Sequence, residues 1–458
     1  MNILIVGNGF DLSHYLPTKY DHFMVAMGAI EGWDEDKGEM GFDDLFGSLY
    51  EKENYFFKYT KAMYQTDDIK ISVNQIKELK TNLKENVWYQ YFSDHVKEIK
   101  TWIDFEKKIE EALVLIIYGL SIIEHKYSET GTIDYNAFIS GNDKGYSFSQ
   151  IKFNTLSCLG MFIRNIHYGN YAANAMRKDI RLGNLCEDFF VSKDNPLYGF
   201  SNEKYFLFIN KELEFFIGIF NFYLINIVDN LEILKQIDNK SLNQFDKIYS
   251  FNYTHTYLRF YNLDADLDFL HGSCGEKQNI VLGVSDIKND NLKDKNIYGF
   301  VKYHQKLLKN TQYIFLNEYI ESKKNIFKKI SRCELFLTGT SIESIHGQYK
   351  EKELKNLERE LILNINITIW VHSLDSSDES YIKEIFSFND NIDQNFRVLI
   401  YYFDHQSKFN LLANLLYILG KDKVEKWMKN KWLRFEKNPN VVEINNIQPS
   451  DLIKFYEE

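Results

Sequence analysis

Three short polar segments of this chain follow apolar runs and carry residue types that can hold or transform a nucleotide. The first is the run Asn2 to Val6, which ends in Gly7-Asn8-Gly9 and continues into Phe10 and Asp11. Two glycines around one residue let backbone N–H groups approach an anion closely, and the start of a helix beyond them adds favourable partial charge. The third glycine of a GxGxxG fingerprint would fall at Leu12, so this is not the full dinucleotide fingerprint of a dehydrogenase. Asp11 has the residue type of a helix cap, the expected role, with a ribose hydroxyl as the alternative partner. The second segment joins Ser250-Phe251-Asn252-Tyr253-Thr254 to Leu270-His271-Gly272-Ser273, each at the end of an apolar run. An amide at Asn252 can orient a ribose or a water, and a histidine with a pKa near ~6.5 can move a proton at neutral pH. Spacing alone leaves two readings open: an acid–base pair, or a strand terminator and a hydrogen-bonded turn residue.

The third segment runs Trp370-Val371-His372-Ser373-Leu374-Asp375-Ser376-Ser377-Asp378, with hydroxyl and N–H groups suited to a ribose or phosphate. Leu337-Thr338-Gly339-Thr340-Ser341 offers the same design one predicted strand earlier. Each alone reads as a capped helix start, because Ser, Thr and Asp are preferred caps, and only their convergence is informative. The cluster Trp102, Asp104 and Glu106 opens a long helical pattern and reads as structural, acids favouring the helix start and Trp packing the core. No GxxxxGK[ST], HExxH or GxSxG occurs.

The elements that must position these residues read as an α/β fold, a parallel Rossmann-like sheet interrupted by a large helical insertion. Strand-like runs fall at Asn2 to Val6, Lys247 to Phe251, Asp268 to Leu270, Asn279 to Val284, Glu334 to Leu337, Ile365 to Val371 and Phe396 to Phe403. From about Asp34 to Gln244 the pattern is helical, as in Trp102, Phe105, Ile109, Leu113 and Ile116, with a polar linker over Ser128 to Ser149. The expected organisation is residues 1–33 as first strand, phosphate turn and helix of the α/β domain, 34–245 as insertion, 246–421 as the rest of the α/β domain, and 422–458 as a C-terminal helix and tail. Strand one lies far from its partners in sequence, so one interrupted sheet is more economical than a separate N-terminal domain.

A chain of 458 residues with 45% hydrophobic residues, 36 Phe and 31 Tyr has ample material for packed cores. The net charge of -11 opposes a mainly electrostatic grip on nucleic acid, which needs concentrated Lys and Arg, so nucleic acid is an unexpected partner. Cys158, Cys186, Cys274 and Cys333 are scattered without a CxxC pair, which points to neither disulfides nor a zinc site and favours a reducing cytoplasm. The opening MNILIVGNGFD lacks the features of a signal peptide. Ala112 to Ile123 and Phe215 to Val228 fall short of the roughly 18–20 apolar residues that cross a bilayer and read as buried helices, so no membrane partner is expected.

The string ILIVGNGFDLSHYLPTKYDHF resembles the start of bacteriophage abortive-infection AbiH proteins, in which a strand, a GNGFD turn and a following LPT-x-Y segment are characteristic. The resemblance continues through Trp102-Ile103-Asp104-Phe105-Glu106, Ser250 to Thr254, Leu270-His271-Gly272 and Val371 to Asp378, with Val371 standing where the family usually has Gly. It implies an antiphage role in abortive infection and a motif order similar to that of sirtuin-like proteins, which bind NAD. By that resemblance Gly7 and Gly9 hold the dinucleotide, Asn252 and His271, 19 positions apart, flank the nicotinamide ribose, and Ser373 or Ser341 meets the adenosine half. Ligand contacts are then expected from Gly7, Asn8, Gly9, Phe10, Asp11, Ser250, Tyr253, Thr254, Thr340, Ser341, His372, Ser373 and Asp378. The cysteine module of sirtuin deacylases is lacking, so protein deacylation is not expected.

The implied activity is NAD glycohydrolysis without a metal, NAD being substrate or ligand rather than cofactor. Such an enzyme needs restraint, so a phage-derived trigger, a homo-oligomer or a defence-system partner belongs to the reading. The alternative is a nucleotide-binding sensor or scaffold without turnover; a toxin acting on nucleic acid is disfavoured by charge and by the lack of clustered carboxylates.

Overall fold

The computed structural model describes the chain except residues 97, 100–101, 131–149, 165–182, 193–198, 238–244, 263, 286–294, 312–314, 340–342, 361, 363, 391–392 and 453–458. Two compact units are formed by discontinuous stretches: Met1–Leu16, Lys235–Ser273 and Asn310–Gln448 make the first, and Pro17–Leu234, Cys274–Lys309 and Pro449–Glu458 the second.

The first unit is built on six parallel strands: β1 (Asn2–Val6), β2 (Lys247–Ser250), β3 (Leu267–Phe269), β4 (Asn366–Trp370), β5 (Arg397–Tyr402) and β6 (Leu433–Lys437). Across the sheet they run β3-β2-β1-β4-β5-β6, the order of doubly wound dinucleotide-binding sheets. The continuous apolar run of β1 follows from burial on both faces, the pattern of a parallel sheet covered by helices. Ile3 and Ile5 join Ile367, Ile369, Val398 and Ile400 on one face, packed with Ile382, Leu411, Leu415 and Trp427 from helices. Leu4 and Val6 join Ile248 and Trp370 on the other, packed with Phe10 and Tyr257. Each such aliphatic chain contributes roughly 1.5–3 kcal/mol when taken fully from water.

Four predicted strands beside β1 are present with shifted ends, and two are not. Glu334 to Leu337 is the last part of a helix, Asn317–Thr338. Ile326, Ile330 and Cys333 bury one helical stripe there while Leu335 and Phe336 are exposed, so a short apolar run at a helix end mimics a buried strand. Asn279 to Val284 is extended but lies in no ladder beyond one bridge from Val284 to Val301. Its backbone is satisfied instead by the Gln305 amide, which accepts from the Leu282 N–H at 3.0 Å and donates to its carbonyl at 2.9 Å. The stretch predicted as helix and tail contains the helix Lys421–Lys429 and then β6, a sixth strand. Its sequence, LRFEK, alternates charge with apolar residues because it is the sheet's edge, where charged side chains are favoured.

The second unit is mainly helical, including Tyr20–Gly32, Val73–Glu85, Trp102–Thr130 and Asn202–Tyr223. Its core is aromatic: Phe105 stacks on Phe216 at 5.5 Å, and Phe23 meets Phe216, Phe220 and Tyr223 edge to face. The residues Trp102 and Glu106 act structurally here, as expected: the Trp102 indole donates to the Thr18 carbonyl at 3.1 Å, and Glu106 pairs with buried Lys302 at 2.5 Å. The four cysteines are free thiols. Among the described residues no helix is long and apolar enough to cross a membrane.

Candidate functional site

Val6 pairs with Ser250 on one side and Trp370 on the other, and Ser250 pairs with Phe269, so the last residues of β1, β2, β3 and β4 lie level. The residues that follow them are therefore neighbours: Gly7 after β1, Phe251 and Asn252 after β2, Leu270 and His271 after β3, Val371 and His372 after β4. Chain order reverses at β1, and open α/β sheets place ligands beyond the strand ends at such a switch point.

At the first turn, Gly7 precedes a six-residue helix, α1 (Asn8–Ser13). Asp11 does not cap it: the cap position is Gly7 with no side-chain bond, and Asp11 lies inside the helix, 1% exposed. Its Oδ2 accepts from the Thr254 hydroxyl at 2.7 Å, and that hydroxyl also meets Thr256 at 3.0 Å. Phe10 is equally committed to the fold, its ring edge-on to Trp370 at 5.4 Å. Partly exposed Asn8 and buried Gly9 have N–H groups in the orphan positions of a helix start, without a partner among the described residues.

Both glycines are required by the protein's own backbone. A Cβ on Gly7 would stand 2.8 Å from the His372 Cα, and one on Gly9 would stand 2.3 Å from the Val371 Cγ1. Val371 itself has φ +45, in the left-handed region that a β-branched residue enters only under strain.

Asn252, 6% exposed, ties the second turn to the first: its Nδ2 donates to the Gly7 carbonyl at 2.9 Å. Ser250 turns inward and bonds the Asn252 backbone, accepting from its N–H at 3.1 Å. The other amide hydrogen and Oδ1 of Asn252 have no partner among the described residues, which leaves both for a ligand. Tyr253 is half-buried between them and Thr254.

His271 and His372 converge on Asp378. His271 Nε2 lies 3.3 Å from Oδ1, and His372 Nε2 lies 3.2 Å from Oδ2. All three are nearly buried, at 6%, 6% and 5% exposure. The Leu374 N–H donates to His372 Nδ1 at 3.0 Å, so the ring proton sits on Nε2 and faces the carboxylate. Both ring nitrogens of His372 are thus engaged by the protein. The Phe251 ring lies between the imidazoles, edge to face with His271 at 5.2 Å and tilted on His372 at 4.2 Å. Burial, with the Asp378 charge second, drives the Tyr381 phenol well above its usual range, so it stands beside the carboxylate as a neutral group.

Ser373 is exposed, and its carbonyl accepts from Asn414 at 3.0 Å. Asp375 caps the turn Ser376–Asp378 by accepting from the Ser377 N–H, and this turn leads into the helix Glu379–Ile385 that places Asp378. Thr340 and Ser341 lie outside the described residues. Sequence reasoning grouped Asp378 with ligand contacts and did not assign Phe251 a role; neither the shared carboxylate nor the ring between two imidazoles has a local pattern, since their partners come from three strand ends.

A parallel, doubly wound α/β unit with an amide, two imidazoles and a carboxylate gathered beyond its central strand ends defines a protein with a candidate ligand site at the switch point of its sheet. The chain belongs to the bacteriophage abortive infection AbiH family, whose model matches residues 3–402, from the second residue of β1 to the last residue of β5. It is an antiphage protein of abortive infection. No curated protein and no solved structure matches the chain significantly.

Proposed function

We propose that this AbiH protein is an NAD glycohydrolase that depletes NAD on infection. The observation that carries the reading is the placement of Asn252 and His271 beyond adjacent strands, with the Asn252 amide bonded to the Gly7 carbonyl of the phosphate turn. In this reading the dinucleotide lies across the switch point with phosphates at the Asn8 and Gly9 N–H groups. The free hydrogen-bonding capacity of Asn252 orients the nicotinamide ribose. The bond from ribose C1′ to the nicotinamide nitrogen breaks with its electron pair leaving on nicotinamide, through an oxocarbenium-like state. Water adds to C1′ and His271 takes the proton that water loses, giving ADP-ribose and nicotinamide. The expected effect of proton handling by one positioned side chain is about 10²–10⁴-fold in rate.

A second reading is a nucleotide-binding sensor without turnover, and one observation favours it: Gly7 and Gly9 are already explained by the close approach of His372 and Val371, so the motif does not by itself demand a reacting ligand. The test is nicotinamide release from NAD by the purified chain, together with NAD levels in expressing cells with and without phage, compared with Asn252→Ala. Infection-dependent loss of NAD that vanishes in the variant supports the enzyme. Steady NAD with intact phage protection and measurable NAD binding supports the sensor.

A further inference from the structure

His372 is the hinge of a contact chain that leads from the phosphate turn to His271. Its Cα and Cδ2 would lie 2.8 and 2.9 Å from a Cβ on Gly7, so the residue rests directly on the turn. Its ring is fixed from both sides, by the Leu374 N–H on Nδ1 and by Asp378 on Nε2. The second oxygen of the same carboxylate faces His271. Separate oxygens serve separate rings, and Phe251 stands between them, so the two imidazoles are held apart on one carboxylate.

We propose that Asp378 and His372 are positioning residues, a relay through which the Gly7 turn sets the ring of His271. The inference rests on the glycohydrolase reading only in taking His271 as the proton acceptor; the relay itself is a property of the folded chain. Both carboxylate contacts, 3.3 and 3.2 Å, are longer than the roughly 2.7–2.9 Å of a tight charge-assisted bond. His271 Nε2 and Asp378 Oδ1 meet by close approach rather than in hydrogen-bond geometry. The relay holds His271 in orientation in the folded chain itself.

The imidazole ¹⁵N spectrum of the full chain, labelled at histidine and free of ligand, tests this, with His271→Gln and His372→Gln used for assignment. In the wild type His372 is expected as a single Nε2–H tautomer. Asp378→Asn is expected to move the ring signals of both His271 and His372, and Asp378→Glu to restore them in part. Gly7→Ala, which displaces His372, is expected to move the His271 signal as well. A thermal melt identifies any variant that fails to fold, and Gly7→Ala and Asp378→Glu then carry the decision. A His271 signal that stays in place in the folded variants overturns the relay. No substrate enters these spectra, so a working relay in a chain that releases no nicotinamide defeats the glycohydrolase reading alone. Where turnover is present, Asp378→Asn is expected to lower kcat by about 10²-fold with KM within about twofold, the signature of lost orientation.

Discussion

Two regions of the first unit bury histidines, and they do so by opposite means. At the end of α1, His14 is wholly inaccessible; its Nδ1 donates to the Phe10 carbonyl at 2.7 Å and its Nε2 accepts from the Tyr261 hydroxyl at 2.5 Å. Phe10 and Phe260 lie against the ring at 4.5 and 5.0 Å. With no carboxylate at either nitrogen, burial pushes its pKa down to about 4, against the raising effect of the Phe10 carbonyl. Beyond the strand ends, His271 and His372 are almost as buried but share Asp378. A buried imidazole without a charged partner is a neutral packing element, whereas one facing a carboxylate can accept a proton without leaving an uncompensated charge. Histidines buried to nearly the same degree thus differ in the group that faces the ring.

The sharpest division between the regions comes from removing each ring. His271→Ala is expected to lower nicotinamide release by about 10²–10⁴-fold while leaving the thermal midpoint within a few degrees. An unchanged rate in the folded variant removes His271 from the reaction.

His14 governs stability and pH instead. Its folded pKa of about 4 lies below the unfolded value near 6.5, so the unfolded chain binds the extra proton between those values. Its contribution is present above pH 6.5, is lost as pH falls from 6.5 to 4, and changes no further below. The full difference is about 3 kcal/mol, read as the urea midpoint across that window. His14→Gln keeps polar partners without titrating and is expected to flatten this part of the profile; an equally steep profile in the variant assigns the slope to another group.

Smaller effects probe the ground beside each region. Burial raises Glu384, in the helix that carries Asp378, to about 7. Its folded value exceeds the unfolded one, so the stability it contributes is present below the unfolded pKa, is lost as pH rises to the folded value of about 7, and changes no further above it. Glu384→Gln is expected to stabilise the chain at pH 8 by roughly 1 kcal/mol, a figure discounted for its partial exposure. Val371→Gly exchanges left-handed strain of about 1–2 kcal/mol for the greater unfolded-state freedom of glycine, about 0.5–1 kcal/mol, and for lost packing. Its net effect on the unfolding free energy, measured by urea titration, is expected to stay under about 1 kcal/mol; a loss above about 2 kcal/mol shows that the side chain matters more than its strained backbone.

The strands that packing makes mostly apolar were readable from sequence: β1, β2, β4 and β5 announce themselves because helices cover both faces. β6 did not, since LRFEK answers to solvent at an edge. The apolar tail of Asn317–Thr338 and the segment ending at Val284 misled for a shared reason: a short apolar run does not say where its backbone hydrogen bonds go. Within the site, strand-end placement of Gly7, Asn252, His271 and His372 was readable. The bond from Thr254 to Asp11 was not, because it spans 243 residues and replaces the local cap that the residue type favours.

The position of β1 has a consequence for biosynthesis. It is the first strand made, yet its neighbours β2 and β4 begin at residues 247 and 366. At a synthesis rate of about 5–20 residues per second, β1 waits roughly 20–70 s for its second partner to be translated. Throughout that interval the Gly7 turn has no His372 to rest on. The strand-end cluster of Gly7, Asn252, His271 and His372 is complete only once β4 and the turn after it have been made.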